Sequence, residues 1–411
     1  MNNHTDKQAF SRRGFVKSSA AAAAGGLIIT SAKTALGSEA NSALRLGVIG
    51  CGGRGNNDAG GFIRVTNTQV VALADPFEDR LKGTQSNLNA RLQSVDRPAI
   101  ADDKLFGGLD GYQDLLALDD VDFVLITSPV YFHPEHLIAT IDAGKHVYCE
   151  KPVAADVVGC KQVMEAGKRA EGNVSVVIGF QIRESPEFQE VAKRIHRGDI
   201  GDLVSGMVHY HAGALGLRSK EGASEAENRL RNWVFDQALS GDIIVEQNCH
   251  VIDICNWYLN STPISVCGTG GQKARTYGGD CYDHFNLTYV YPNDVHISFS
   301  STQFLKGWGD CRERIFGSDG VADTPYSGHA MVTGENAWRS ERTSLLGGTD
   351  ASKFELLYNS ILSGDYLNQT EQGAHSTLTC ILGRMAAYEK RPVTWDEMME
   401  SNQKYEVDLT L

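Results

Sequence analysis

Three residues stand out for the chemistry that their types and spacing allow. Lys151 stands just before the end of the run His146-Val147-Tyr148-Cys149-Glu150-Lys151-Pro152, and His250 and Asp253 stand three residues apart in Glu246-Gln247-Asn248-Cys249-His250-Val251-Ile252-Asp253. An imidazole titrates nearest neutral pH, so His250 suits removal of a proton from a hydroxyl. An aspartate three positions on shares its helical face and would orient the ring or hold a neighbouring hydroxyl. The Lys151 ammonium would donate to the reacting oxygen and stabilise charge developing there. Together they suit an alcohol that gives its carbon-bound hydrogen to a hydride acceptor, with His250 or Lys151 as the general base. Glu246, His250 and Asp253 also offer metal ligands, but no second His-rich cluster completes a metal site, and none is expected.

A hydride acceptor needs a cradle, and an earlier segment has the form of one. The apolar strand at 44–49 runs into Gly50-Cys51-Gly52-Gly53-Arg54-Gly55 and then into a helix-forming stretch. In that context Gly50 makes the tight turn, Gly52 admits a pyrophosphate against the backbone, and Gly55 allows close helix–strand packing. Gly53 and Arg54 belong to the same turn, whose amides face the phosphates. A second strand at 69–74 ends at Asp75, placed to accept from both adenosine ribose hydroxyls; its charge favours NAD over NADP. Further strands at 121–127, 145–149 and 174–178 alternate with helices, as a doubly wound parallel sheet requires. Such sheets bind ligands beyond their carboxyl ends, where Thr127, Ser128, Pro129, His133, Glu150 and Lys151 would emerge.

The run Thr127-Ser128-Pro129-Val130-Tyr131-Phe132-His133, the segment Ala143-Gly144-Lys145-His146-Val147 and the element Glu150-Lys151-Pro152 resemble the glucose-fructose oxidoreductase / inositol dehydrogenase / rhizopine-catabolism (Gfo/Idh/MocA) family. The resemblance extends through Gln181-x-Arg183, Gly198-Asp199-Ile200-Gly201 and the Glu246–Asp253 segment to Val393-Thr394-Trp395. It implies an α/β chain: a Rossmann domain at 41–179, then an α+β domain at 180–411 with an open, mostly antiparallel sheet for substrate binding and oligomerisation. It also implies catalytic roles for Lys151, His250 and Asp253 and a homodimer or homotetramer.

Strands at 204–210, 264–269, 283–291 and 295–303 fit that second domain, with Pro292-Asn293-Asp294 turning the last two into a hairpin. Helices are expected at 350–362 and 376–388, and the Gly-rich stretch 317–348 as loop. Gln181, Arg183, His211, Trp233 and Glu246 are candidates for the substrate pocket, each with a plain structural alternative. The expected substrate is a sugar, glycoside or polyol with a secondary hydroxyl. An NAD-dependent glycosidase acting through transient oxidation at C3 is the second reading, and a non-catalytic carbohydrate sensor the third.

The remaining features bound these readings. A chain of 411 residues, 42% hydrophobic, has material for two cores, and its formal charge of -13 argues against nucleic-acid or membrane-surface partners. Residues 1–40 carry Ser11-Arg12-Arg13-Gly14-Phe15-Val16-Lys17, an Ala/Gly/Ile stretch and small residues, the order of a twin-arginine export signal. A periplasmic protein exported already folded is expected, with NAD held tightly because it is not replenished there. Nine cysteines without close pairs fit free thiols rather than a disulfide scaffold.

Overall fold

The computed structural model describes residues 43–410; the twin-arginine segment lies outside them. The first domain alternates strands and helices: β1 (Leu44–Ile49), α1 (Gly53–Val65), β2 (Thr68–Ala74), α2 (Glu78–Gln93), β3 (Leu105–Phe106), α3 (Gly111–Leu116), β4 (Phe123–Ile126), α4 (His133–Asp142), β5 (His146–Cys149), α5 (Val157–Ala170) and β6 (Val176–Ile178). All six strands are parallel, in the order β3-β2-β1-β4-β5-β6. The strands are apolar on both faces because helices cover both: Phe62 of α1 packs edge-on against Phe123 and Tyr148. The order reverses between β1 and β4, which opens a crevice at their carboxyl ends.

The second domain opens with α6 (Pro186–His196), β7 (Leu203–Gly213), α7 (Glu225–Arg231), α8 (Gln237–Ser240), α9 (Ile243–Glu246) and α10 (Cys249–Leu259). The sheet then continues through β8 (Ser265–Gly271), β9 (His284–Tyr291), β10 (Val295–Leu305), β11 (Asp310–Gly317), β12 (Val321–Pro325), β13 (Met331–Val332) and β14 (Trp338–Arg339). Last come α11 (Thr349–Ser363), α12 (Thr370–Glu389), β15 (Val393–Thr394) and α13 (Trp395–Glu400). The nine-stranded sheet runs β14-β13-β12-β11-β7-β10-β9-β8-β15, antiparallel except for the β10–β7 pair. The Pro292–Asp294 turn joins β9 to β10 as expected. Inward residues of these strands, among them Val208, Phe285, Tyr289, Ile297 and Phe299, are buried. Val204 and Met207 of β7 are exposed.

The stretch 317–348 is not simply loop: it holds β12, β13 and β14. The β12–β13 and β13–β14 pairings cover two residues each, too few for a periodic pattern to register in the sequence. Beyond it the chain returns to the first domain. Phe354 of α11 packs on Phe62, and a Cβ on Gly61 would stand 2.4 Å from the Phe354 ring. Residues 367–369 then close the free edge of β6, where Val176 N donates to Leu367 O (2.6 Å) and Gln369 N to Val176 O (2.9 Å). All nine cysteines are free. No helix among the described residues is long and apolar enough to cross a membrane.

Candidate active site

The turn from β1 into α1 is shaped by two glycines that admit no side chain. Gly50 has φ +95°, and a Cβ there would lie 2.5 Å from Ser128 N; a Cβ on Gly55 would lie 2.0 Å from Gly50 O. Gly53 faces open space, and a Cβ on Gly52 would meet only the Arg80 guanidinium, at 3.9 Å. The first hydrogen bond of α1 is Asn56 N to Gly52 O, and no side chain caps the helix. Its leading amides, Gly53 to Gly55, therefore face a groove with donors free for an anion.

That groove is a cavity of about 430 Å³ lined by Gly50 to Arg54, Asp75, Arg80, Thr127 to Pro129 and, from the second domain, Arg218 and Trp233. Asp75 ends β2 as expected, with Cys51 N (2.8 Å) and Phe77 N (2.9 Å) each donating to one of its oxygens. Each oxygen keeps a lone pair for a ribose hydroxyl. Burial raises this carboxyl, and those two amides and the nearby Arg80 work against the rise. Beside it lies a narrow apolar slot between Phe77, Leu109, Tyr112, Pro129, Phe132 and Leu230. The glycine cradle, unfilled amides, acidic strand end and apolar slot suit pyrophosphate, ribose and adenine in turn, so these residues fit a dinucleotide.

A second cavity, about 540 Å³, shares Gly53, Arg54, Thr127, Ser128, Arg218 and Trp233 with the first and adds His133, Glu150, Lys151, Gln181, Glu246 and His250. Here strand ends of the first domain meet the α9–α10 junction of the second. Lys151 Nζ donates to the Glu246 carbonyl (2.7 Å) and stands 3.7 Å from the Glu246 carboxylate. Burial opposes its charge, but Cys249, Glu246 and Glu150 outweigh it and raise its pKa. Burial pushes His250 the other way, well below its ordinary value, helped by the charges of Lys151 and Arg54. Its Nδ1 and the Gln181 side-chain oxygen are buried without a protein partner. The site thus holds a cationic lysine beside a neutral histidine at neutral pH.

The remaining first-domain candidates build the floor. Thr127 Oγ1 donates to Gly50 O (2.6 Å), and Ser128 Oγ lies 2.9 Å from His136 Nδ1. His133 spans two turns, Nδ1 on Pro152 O (2.6 Å) and Nε2 on Ser128 O (2.8 Å), so its ring braces the floor beneath the cavity. The Arg54 side chain, expected only as part of the glycine turn, joins Asp58 (2.9 Å), Glu150 (2.8 Å) and Asp350 of α11 (2.9 Å). Burial, and then Glu150, push Asp58 well above the usual carboxylate range. Gly179 is required opposite Glu150, since a Cβ there would lie 2.6 Å from its Oε1.

Three candidates fall outside the cavity. Asp253 is 1% exposed and bound by Arg183 through two hydrogen bonds (2.8 and 2.9 Å) and by Ser376 of α12 (2.7 Å). Neither Asp253 nor Arg183 lines the cavity, and Arg183 stacks over Trp257 instead. Three residues of helix turn about 300°, leaving about 60° between His250 and Asp253, enough to put one in the cavity and the other in the seam with α12. The carboxylate beside Lys151 is that of Glu246. His211 points to the other face of β7 from Tyr210, stacked on His209 at 4.9 Å and hydrogen-bonded to Ser300 Oγ (3.0 Å). Among the described residues no group of three or more His, Cys, Asp or Glu side chains is arranged to hold a metal.

Comparison with known proteins follows the same division. A family model described as oxidoreductase family, NAD-binding Rossmann fold, matches residues 44–178, and the GFO/IDH/MocA C-terminal domain model matches residues 188–323. Inositol 2-dehydrogenase 3 of Saccharopolyspora erythraea is 31% identical over 211 residues, covering 49% of this chain and 56% of that protein. A glycosyl hydrolase family 109 protein of Shewanella pealeana is 25% identical over 300 residues, covering 71% of this chain and 62% of its own length. The chain thus spans about three fifths of the length of these relatives. In fold it is similar to the aldose-aldose oxidoreductase from Caulobacter crescentus complexed with glycerol, with TM-score 0.68 and 18% identity over 86% of this chain and 99% of that one. Two consecutive domains matched by the two models of one family, around a dinucleotide-shaped groove, make this chain a member of the Gfo/Idh/MocA oxidoreductase family.

Proposed function

We propose that the protein oxidises a secondary hydroxyl of a sugar, glycoside or polyol, and that His250 is the general base. The observation that carries this reading is the pairing of a cationic Lys151 with a neutral, unpartnered His250 in one cavity against the dinucleotide groove. NAD, when bound along Gly50 to Arg54 and Asp75, supplies the hydride acceptor. Lys151 then donates a hydrogen bond to the substrate oxygen and stabilises its developing charge, while Glu246 O and the Glu246 carboxylate hold the ammonium in place. His250 accepts the hydroxyl proton. Gln181 and Trp233 line the same cavity and are the proposed contacts to the rest of the substrate.

A panel of sugars and polyols incubated with NAD and followed at the NADH absorbance tests this reading. NADH formation that is lost in Lys151→Met and His250→Gln supports it; no redox change with any of them, in a protein that binds NAD, counts against it.

The second reading, glycoside cleavage through transient oxidation at C3, is favoured by the glycosyl hydrolase family 109 relative, whose alignment covers 71% of this chain against 49% for the inositol dehydrogenase. Release of aglycone without net NADH would select it. The N-terminal sequence supports export of the folded protein to the periplasm, and exposed Val204, Met207 and Ile264 on and beside the nine-stranded sheet support a homodimer or homotetramer.

A further inference from the structure

The segment between β7 and α8, residues 214–236, leaves the second domain and reaches the first across the dinucleotide groove. It is a folded arm, cross-linked within itself. Arg218 N donates to Asn232 Oδ1 (2.7 Å), Lys220 N donates to Asn228 Oδ1 (2.8 Å), and Ser224 caps α7 through Glu227 N (3.0 Å). Its root is held by Tyr277, whose hydroxyl donates to Leu215 O (2.6 Å), and by Arg229 on Asp236 (2.6 Å).

The tip of the arm is fastened to the first turn of α2. Arg231, 6% exposed, donates to Asp79 (2.6 Å), is held from behind by Glu227 (2.8 Å), and lies 4.1 Å over the Phe77 ring. Lys220 Nζ adds a second cation 3.6 Å from Asp79. Leu230 and Leu239 bury against Phe77, and Val407 and Leu409 of the C-terminal tail pack on the same cluster. Asp79 lies just beyond Asp75, so the fastening point is at the ribose end of the groove. Between root and tip, Arg218 and Trp233 line the groove opposite Gly50 to Arg54, and the Arg218 guanidinium has no carboxylate or carbonyl partner among the described residues.

We propose that this arm is a clamp on the cofactor: Arg218 is a phosphate-binding residue contributed by the second domain, and the Arg231–Asp79 pair is the fastening that must open before the dinucleotide can leave. The inference rests on the reading that the groove holds NAD. An arm that crosses the groove and is anchored on both sides must open for the dinucleotide to leave or to enter. A guanidinium opposite the helix amides adds a charge-assisted contact that a neutral residue cannot supply. Slow release follows from the arm whichever sugar chemistry the second cavity performs.

The test uses the full chain loaded with NADH, with excess NAD as trap, and reads dissociation from the loss of NADH fluorescence. Asp79→Asn, which cuts the fastening, is expected to raise the dissociation rate about tenfold and the association rate with it, because the same gate is crossed in both directions. Arg218→Gln is expected to raise it by a similar factor and to reduce its salt dependence, and Arg218→Lys to restore most of the retention. Lys220→Ala, at an exposed position, gives a smaller rise in the same direction in a protein whose fold is not at risk. Dissociation rates within about twofold of wild type in Asp79→Asn, Arg218→Gln and Lys220→Ala overturn the clamp while leaving the groove assignment standing. A wild-type chain that binds neither NAD nor NADH overturns the groove assignment, and the clamp with it.

Discussion

The Lys151 ammonium donates to the main-chain carbonyl of Glu246 at 2.7 Å while that residue's carboxylate stands 3.7 Å away. One residue therefore holds the lysine twice, by a hydrogen bond that fixes its position and by a charge that keeps it protonated. Glu246→Gln separates the two: the carbonyl remains, the charge goes, and the Lys151 pKa falls. The alkaline limb of the kcat/KM–pH profile is expected to move to lower pH, with kcat down about tenfold. A limb that stays in place would mean that Lys151 does not set it.

His250 is neutral at pH 7 because burial and the charges of Lys151 and Arg54 disfavour its cation. Wild-type kcat should therefore stay level as pH falls from 7 through the usual histidine range and drop only below it. His250→Gln is expected to lower kcat by about 10²–10⁴ with the NAD dissociation constant within about twofold of wild type. Rate–pH profiles and a fluorescence titration with NADH check both parts.

Arg183 and Asp253 form a buried pair outside the cavity, so their loss is expected to act on stability first. Arg183→Ala takes from the buried Asp253 carboxylate its paired guanidinium and leaves it one side-chain hydrogen bond, from Ser376, at a cost of about 3 kcal/mol in urea unfolding. KM for the substrate should be nearly unchanged in the protein that remains folded. A large rise in KM without loss of stability would return Arg183 to the substrate pocket.

Asp242 is fully buried, and burial lifts its carboxyl to about 6 despite hydrogen bonds from Tyr388 Oη (2.5 Å) and the Tyr282 and Ile243 amides. Because the folded-state pKa lies above the unfolded one, the folded protein binds more protons between pH 4 and 6. Its contribution to stability is greatest below pH 4, declines as pH rises to 6, and is level above. Relative to Asp242→Asn, which does not titrate, wild type should lose about 3 kcal/mol across that window, as measured by unfolding at a series of pH values.

How far the molecule was legible in its sequence depended on where each residue's partners lie. The β1–Gly50–α1 turn was readable because strand, glycines and helix are contiguous in sequence, with Gly50 supplying the positive φ of the turn and Gly55 the close packing on Gly50 O. Lys151 and His250 could be brought together because a strand end and a helix start carry them into one cavity. Asp253 was misplaced because its partners, Arg183 and Ser376, are distant in sequence, and spacing on a helix does not say which neighbour a side chain will choose. Strand β11 escaped for another reason: of its two buried positions only Ile315 is apolar, and the other is Glu313, accepting from Thr324 Oγ1 (2.9 Å) with its carboxyl pushed up by burial, where the pattern of a strand calls for an apolar residue. The arm at 214–236 had no signal beyond Trp233, because its anchor Asp79 belongs to the other domain.

The closing of β6 by residues 367–369 bears on synthesis. The first domain of the chain is finished late: while a ribosome has yet to release residue 369, β6 offers an unpaired parallel edge to whatever strand it meets. A chain cut after Ile178 would keep every glycine of the cradle and still carry that open edge, a template for association with other chains. A gene product truncated before this return is thus expected in inclusion bodies rather than as a small dinucleotide-binding protein.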